Sequence, residues 1–109
     1  MDKTVVQSWI SELESELDDI IRFWSTRMPD EEKGGFLAGI LTSGEVVRSG
    51  PKGAVLNARI LWSFSALAIH FRDSGSGNDP DDRFETCSRM ATRAFGYLIR
   101  FFRDPEYAT

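Results

Sequence analysis

Lys52-Gly53-Ala54-Val55-Leu56-Asn57-Ala58-Arg59-Ile60-Leu61-Trp62-Ser63-Phe64-Ser65-Ala66 reads as the opening of a helix that is apolar on nearly every face and carries one arginine inside it. Leu67, Ala68, Ile69 and Phe71 continue the pattern, which predicts a helix over about 54–71. A helix hydrophobic all round belongs inside a larger body. A guanidinium stays charged at any working pH, so burying Arg59 is costly unless it meets an anion or lines a polar cavity. Two explanations meet that condition: an ion pair with a carboxylate, from the acidic loop upstream or from outside this sequence, or a role in binding.

The flanking segments supply two amphipathic neighbours. Trp9, Leu13, Leu17, Ile20, Ile21, Trp24 and Met28 recur at three-and-four spacing, which predicts a helix over about 4–28 with Glu12, Glu16, Asp19 and Arg22 on the other face. Pro29 and Asp30-Glu31-Glu32 close it, the acidic run reading as a solvated loop, and Gly34-Gly35 lets the backbone turn where a side chain would clash. Short apolar runs on either side of Thr42-Ser43-Gly44 predict a β-hairpin over about 36–47, too small to stand without helices against it. Asp79 then reads as an N-cap with Pro80 in the first turn of a helix over about 80–103, whose apolar face carries Phe84, Cys87, Ala91, Ala94, Leu98 and Phe102. The expectation is a mainly α chain of three helices with a small hairpin after the first.

Composition narrows the function classes. With 109 residues the chain is one domain at most, given roughly 100–200 residues per domain. Apolar residues at 41%, including three Trp and eight Phe, exclude disorder for the bulk of the chain. A net charge of −4 with scattered basic residues argues against nucleic-acid and anionic-membrane partners. The apolar helix carries Asn57, Arg59, Ser63 and Ser65, whereas a spanning helix wants about 20 predominantly apolar residues. One cysteine cannot form an internal disulfide, and no signal-peptide pattern opens the sequence, so a reducing, cytoplasmic setting is expected.

Few residues could carry chemistry. Cys87 has no neighbouring His or Lys and reads as core filler rather than a nucleophile. Asp73–Asp79 is not a calcium loop, because Phe84 stands where the twelfth-position Glu belongs. Ser49-Gly50-Pro51-Lys52-Gly53 lacks the spacing of a phosphate-binding loop. His70, the one histidine, sits near the end of the apolar helix, where it can meet the negative helix end or cap a carbonyl. No metal site is expected.

Three segments carry a family resemblance: Lys52 to Trp62, Ile20-Ile21-Arg22-Phe23-Trp24 followed by Asp30-Glu31-Glu32-Lys33-Gly34-Gly35-Phe36, and Asp104-Pro105-Glu106-Tyr107. They resemble the amino-terminal region of the N-acylglucosamine 2-epimerase and cellobiose 2-epimerase family. That resemblance implies the amino-terminal portion of an (α/α)6 barrel, a mono- or disaccharide substrate in the completed barrel, and no cofactor. Family members bind a sugar in its open-chain form and move a proton with two histidines through an enediolate. Arg59 matches the family arginine that faces the sugar and is expected to stabilise the developing oxyanion. Asn57, Trp62 and Phe36 are the expected substrate contacts, the last two with core packing as the alternative; Leu37-Ala38-Gly39 departs from the family's usual Tyr and Gly after Gly-Gly-Phe. His70 matches neither catalytic histidine, so the chain alone is expected to be inactive.

Other functions fit parts of the pattern. An aldose–ketose isomerase on the same barrel passes through the same enediolate. A carboxylate-dependent glycosidase fits less well, because the acids cluster in loops and caps. A stand-alone helical interaction module would cover the apolar helix by self-association or with another chain, such as a carboxy-terminal partner.

Overall fold

The computed structural model describes residues 2–47, 52–74 and 82–103. Its elements run α1 (Lys3–Thr26), β1 (Gly39–Ile40), β2 (Val46–Val47), α2 (Ala54–Ser74) and α3 (Arg83–Phe102). The expected three helices and hairpin are all present.

Asp2 starts α1 by accepting the Thr4 N–H at 2.9 Å, filling one of the donors that a first turn leaves without a partner. The helix ends two residues before the expected Met28, because the chain turns there to bring Met28 and Pro29 beside Phe36 and Leu37. Leu37 N–H donates to the Met28 carbonyl at 2.7 Å, and Pro29 and Phe36 form an antiparallel bridge. Phe36 and Leu37 therefore close the loop rather than belonging to the hairpin, which narrows to Gly39–Ile40 against Val46–Val47, with Gly39 opposite Val47. Gly44, at φ +91°, makes its turn. The Arg27 guanidinium donates to the Gly44 carbonyl and ties the hairpin to the end of α1.

The principal helix contact is α2 against α3. Ile60, Phe64, Ala68 and Phe71 of α2 are buried with Cys87, Met90, Ala91 and Ala94 of α3, the small alanines giving the larger side chains room. Cys87 is a fully buried core residue, as expected. Ile21 is the one buried residue of α1, with Leu17, Phe23 and Trp24 packed partly against the core. Arg83 links all three helices: it lies 3.4 Å from Asp18 of α1 and stacks over Phe71 of α2 at 4.5 Å. The expected caps Asp79 and Pro80 and the turn at 104–107 lie outside the described residues. Within them α3 begins at Arg83, preceded by Asp82 in a left-handed conformation.

Much of the apolar surface is uncovered. Residues 2–16 are all exposed, so Val6, Trp9, Ile10 and Leu13 form an apolar stripe with nothing against it among the described residues. Phe95 and Ile99 are likewise large apolar side chains left exposed along α3. The radius of gyration is 16.5 Å, against about 13 Å for a compact domain of this length. By length and composition α2 could also cross a membrane, although one of its stripes is buried here against α3.

Candidate functional site

The four side chains expected to face a ligand divide into two pairs. Side chains two positions apart on an α-helix point about 200° apart, so Asn57 and Arg59 cannot share a face, whereas Arg59 and Trp62 can. The structure follows this geometry. Asn57, Ile60, Phe64, Ala68 and Phe71 turn inward, and Val55, Arg59, Trp62, Ala66 and Ile69 turn outward.

Arg59 is therefore exposed, not buried as the all-round apolar pattern suggested. The physical reason is that among the described residues nothing covers the outer face of α2. No hydrogen bond or ion pair engages its guanidinium among those residues, and the acidic loop does not supply the carboxylate considered for it. Trp62, 74% exposed, lies one turn along on the same face. Beside them a cleft of about 230 Å³ runs between α1 and α2, lined by Ile20, Ile21, Trp24, Leu56, Arg59, Ile60, Ser63, Phe64 and Leu67. It is an apolar trough with one cation at its edge.

Phe36 and Asn57 are both turned into the core. Phe36 is 0% exposed, edge-on to Trp24 with ring centroids 6.4 Å apart, and cannot touch a solute from there. The bridge to Pro29 draws it inward. Asn57 is equally buried: its Nδ2 donates to the Gly53 carbonyl at 3.1 Å, while its Oδ1 has no donor among the described residues. It fastens the first turn of α2. His70 is exposed on α2, its ring against Phe71 at 5.2 Å.

A polar cluster went unanticipated. Asp30, expected from its acidic neighbours to be solvated, is buried, and only Glu31 and Glu32 of the run are in solvent. Its Oδ2 meets Lys52 Nζ at 2.5 Å, the two side chains 7% and 8% exposed. Its Oδ1 accepts the N–H groups of Glu32 and Lys33, each at 3.0 Å. The hydrogen bond from Lys52 holds the Asp30 carboxyl at about 2, below its ordinary 3.8; burial opposes that shift, and the Lys33 and Glu32 N–H groups favour it. Lys52 also donates to the Gly34 carbonyl at 2.7 Å and lies 5.2 Å from the centre of the Tyr97 ring. Arg93 of α3 donates to the carbonyls of Gly35 at 2.8 Å and Asp30 at 2.5 Å. The legible signal was local: an Asp followed two and three residues on by free N–H groups, just before Gly-Gly, forms a side-chain turn of its own.

Among the described residues no three His, Cys, Asp or Glu side chains converge as a metal site. No family model matches the chain. A cellobiose 2-epimerase of Bacteroides fragilis is 38% identical over 107 residues, 98% of this chain and 24% of that protein. A cellobiose 2-epimerase of Dictyoglomus turgidum is 32% identical over 106 residues, 97% of this chain and 24% of that protein. One from Ruminococcus albus is 42% identical over 57 residues, 51% of this chain and 14% of that protein. The chain thus spans about a quarter of the length of the first of these relatives.

Proposed function

We propose, from the premise that this chain belongs to the N-acylglucosamine and cellobiose 2-epimerase family, that it forms the amino-terminal part of a carbohydrate 2-epimerase built on an (α/α)6 barrel. The observation that carries the assignment of a site is the position of Arg59: a cation on the open face of α2, unpaired among the described residues, beside Trp62 and an apolar cleft. The uncovered apolar faces of α1, α2 and α3 favour completion by further helices.

In the reaction, a base removes the proton from the carbon beside an open-chain carbonyl. The electron pair left behind forms the carbon–carbon double bond of an enediolate, and negative charge gathers on the carbonyl oxygen. Reprotonation from the opposite face gives the epimer. Arg59 supplies the positive charge that meets this oxyanion, and Trp62 offers an indole face to the apolar side of the sugar. A fixed cation in a dry site contributes several of the roughly 8–23 kcal/mol by which enzymes lower barriers. The acid–base pair comes from outside this chain, and the chain alone is inactive. Aldose–ketose isomerisation shares the same first step and the same use of Arg59.

The test is incubation of the longer polypeptide that contains this chain with cellobiose in D2O. Deuterium at C2 together with a product whose reducing-end residue is mannose supports epimerisation. Deuterium with a ketose product assigns the isomerase variant. No exchange at C2 contradicts both.

A helical interaction module is the second reading, favoured by the extent of apolar surface on three helix faces. Under it Arg59 pairs with a carboxylate across an interface, and Arg59→Met preserves or strengthens assembly. Loss of turnover without loss of fold in that variant separates the two readings.

A further inference from the structure

We propose that Asp30 and Lys52 are positioning residues: their buried ion pair, held in place by Arg93, sets where α2 begins and hence how Arg59 and Trp62 are presented. Three segments distant in sequence meet at this pair. Asp30 belongs to the loop after α1, Lys52 stands two residues before α2, and Arg93 reaches in from the middle of α3.

The polar atoms of the pair are engaged within the protein. Asp30 Oδ2 is taken by Lys52, and Oδ1 by two backbone N–H groups. Lys52 has one donor on Asp30, one on the Gly34 carbonyl, and its ammonium lies against the Tyr97 ring face. Arg93 takes the two carbonyls that flank the loop, those of Asp30 and Gly35. Each charge is desolvated and matched, so the pair acts as a fixed geometric tie and as neither acid, base nor substrate contact. From Lys52 the chain runs through Gly53 into the first turn, where Asn57 holds the Gly53 carbonyl with both its backbone N–H and its Nδ2. Arg59 follows two residues later. Displacing Lys52 therefore moves the start of α2 relative to α3, and the outer face of α2 turns with it. The geometric part stands on these contacts alone; its consequence for chemistry rests on the role given to Arg59 above.

The test is amide hydrogen exchange by NMR on the 109-residue chain, comparing wild type with Asp30→Asn/Lys52→Met. Removing both charges leaves no unpaired buried ion, so the variant keeps its fold while losing the tie. Lys33→Met, on the same loop but with an exposed side chain, is the control. The expected result is at least tenfold faster exchange at Ala58 to Leu61 in the double variant, with Met90 to Ala94 within threefold of wild type and the control unchanged. Equal loss of protection in α2 and α3, unchanged protection of α2, or no protection of α2 in the wild type each overturns the proposal. In the longer polypeptide the double variant should lower kcat at least tenfold with KM within threefold. Unchanged kcat there overturns the link to chemistry. A wild type without epimerase turnover overturns the functional reading instead, leaving the exchange result to decide the tie.

Discussion

The Tyr97 ring lies directly against the backbone of Gly35: a β-carbon at Gly35 would stand 2.8 Å from Tyr97 Cγ and Cδ2. Gly35 also has φ +67°, a region in which L-residues are strained by about 1–2 kcal/mol. Gly35→Ala adds overpacking, typically about 1–3 kcal/mol, to that strain. Gly44→Ala, at φ +91° with open space around it, carries the strain alone. Urea denaturation should therefore rank Gly35→Ala as clearly the more destabilising of the two. Tyr97→Leu combined with Gly35→Ala should recover part of the difference.

Acid should act on the Asp30–Lys52 pair in a defined window. The folded-state value for Asp30 is depressed from 3.8 to about 2, so in the folded protein the carboxylate keeps its charge to lower pH than in the unfolded chain. The unfolded state binds the proton first, and the stabilisation is present above about pH 3.8 and disappears as pH falls through about 2. Denaturation midpoints at pH 5, 3 and 2 should fall for the wild type. The gap between wild type and Asp30→Asn should narrow across the same range. At pH 5 that gap reflects a buried lysine left without its counter-charge, about 3–5 kcal/mol.

Asn57 carries an opposite expectation for a buried polar residue. Its Nδ2 bond to Gly53 is worth about 0.5–1.5 kcal/mol, while a buried acceptor that is unpaired, as its Oδ1 is among the described residues, costs about 1–3 kcal/mol. Asn57→Leu, which keeps the branched shape and the number of side-chain heavy atoms, removes both and should leave the melting temperature unchanged or raised. A marked fall would mean that Oδ1 has a donor in solution.

The open faces predict self-association of the chain by itself. Trp9, Trp62 and Phe95 present large apolar area on three different helices. Sedimentation velocity should show mass rising with concentration, and Trp62→Lys with Ile69→Lys should reduce it. A strictly monomeric wild type across the micromolar range would contradict this.

The helices are legible in the sequence because each has at least one sustained apolar stripe, and the turn at Gly44 because only glycine sits easily at its φ. The hairpin is less so: Phe36 and Leu37 look like strand residues but pair with Met28 and Pro29, a contact set by the turn at Gly34 and Gly35. Arg59 was legible as a residue in need of an explanation, yet its exposure was not, since apolar positions all round α2 do not say which of them this chain itself covers. The burial of Asp30 is not legible locally, because its counter-charge lies 22 residues away and its second tether, Arg93, 63 residues away. Composition around Asp30 describes Glu31 and Glu32, which are exposed, and not the carboxylate that folds inward.

Arg59→Met in the longer polypeptide tests the central claim most directly, with cellobiose turnover and thermal unfolding measured on the same preparation. Under the proposed role Arg59 lines the substrate site rather than the packed core, and Arg59→Met leaves no unpaired buried charge, so the melting temperature should stay close to wild type. Loss of one preorganised oxyanion donor typically costs about 10²–10³ in kcat, and a fall of at least that size in a folded variant is the expected result. Turnover near the wild-type rate would contradict the assignment of Arg59 as the group that meets the enediolate oxygen.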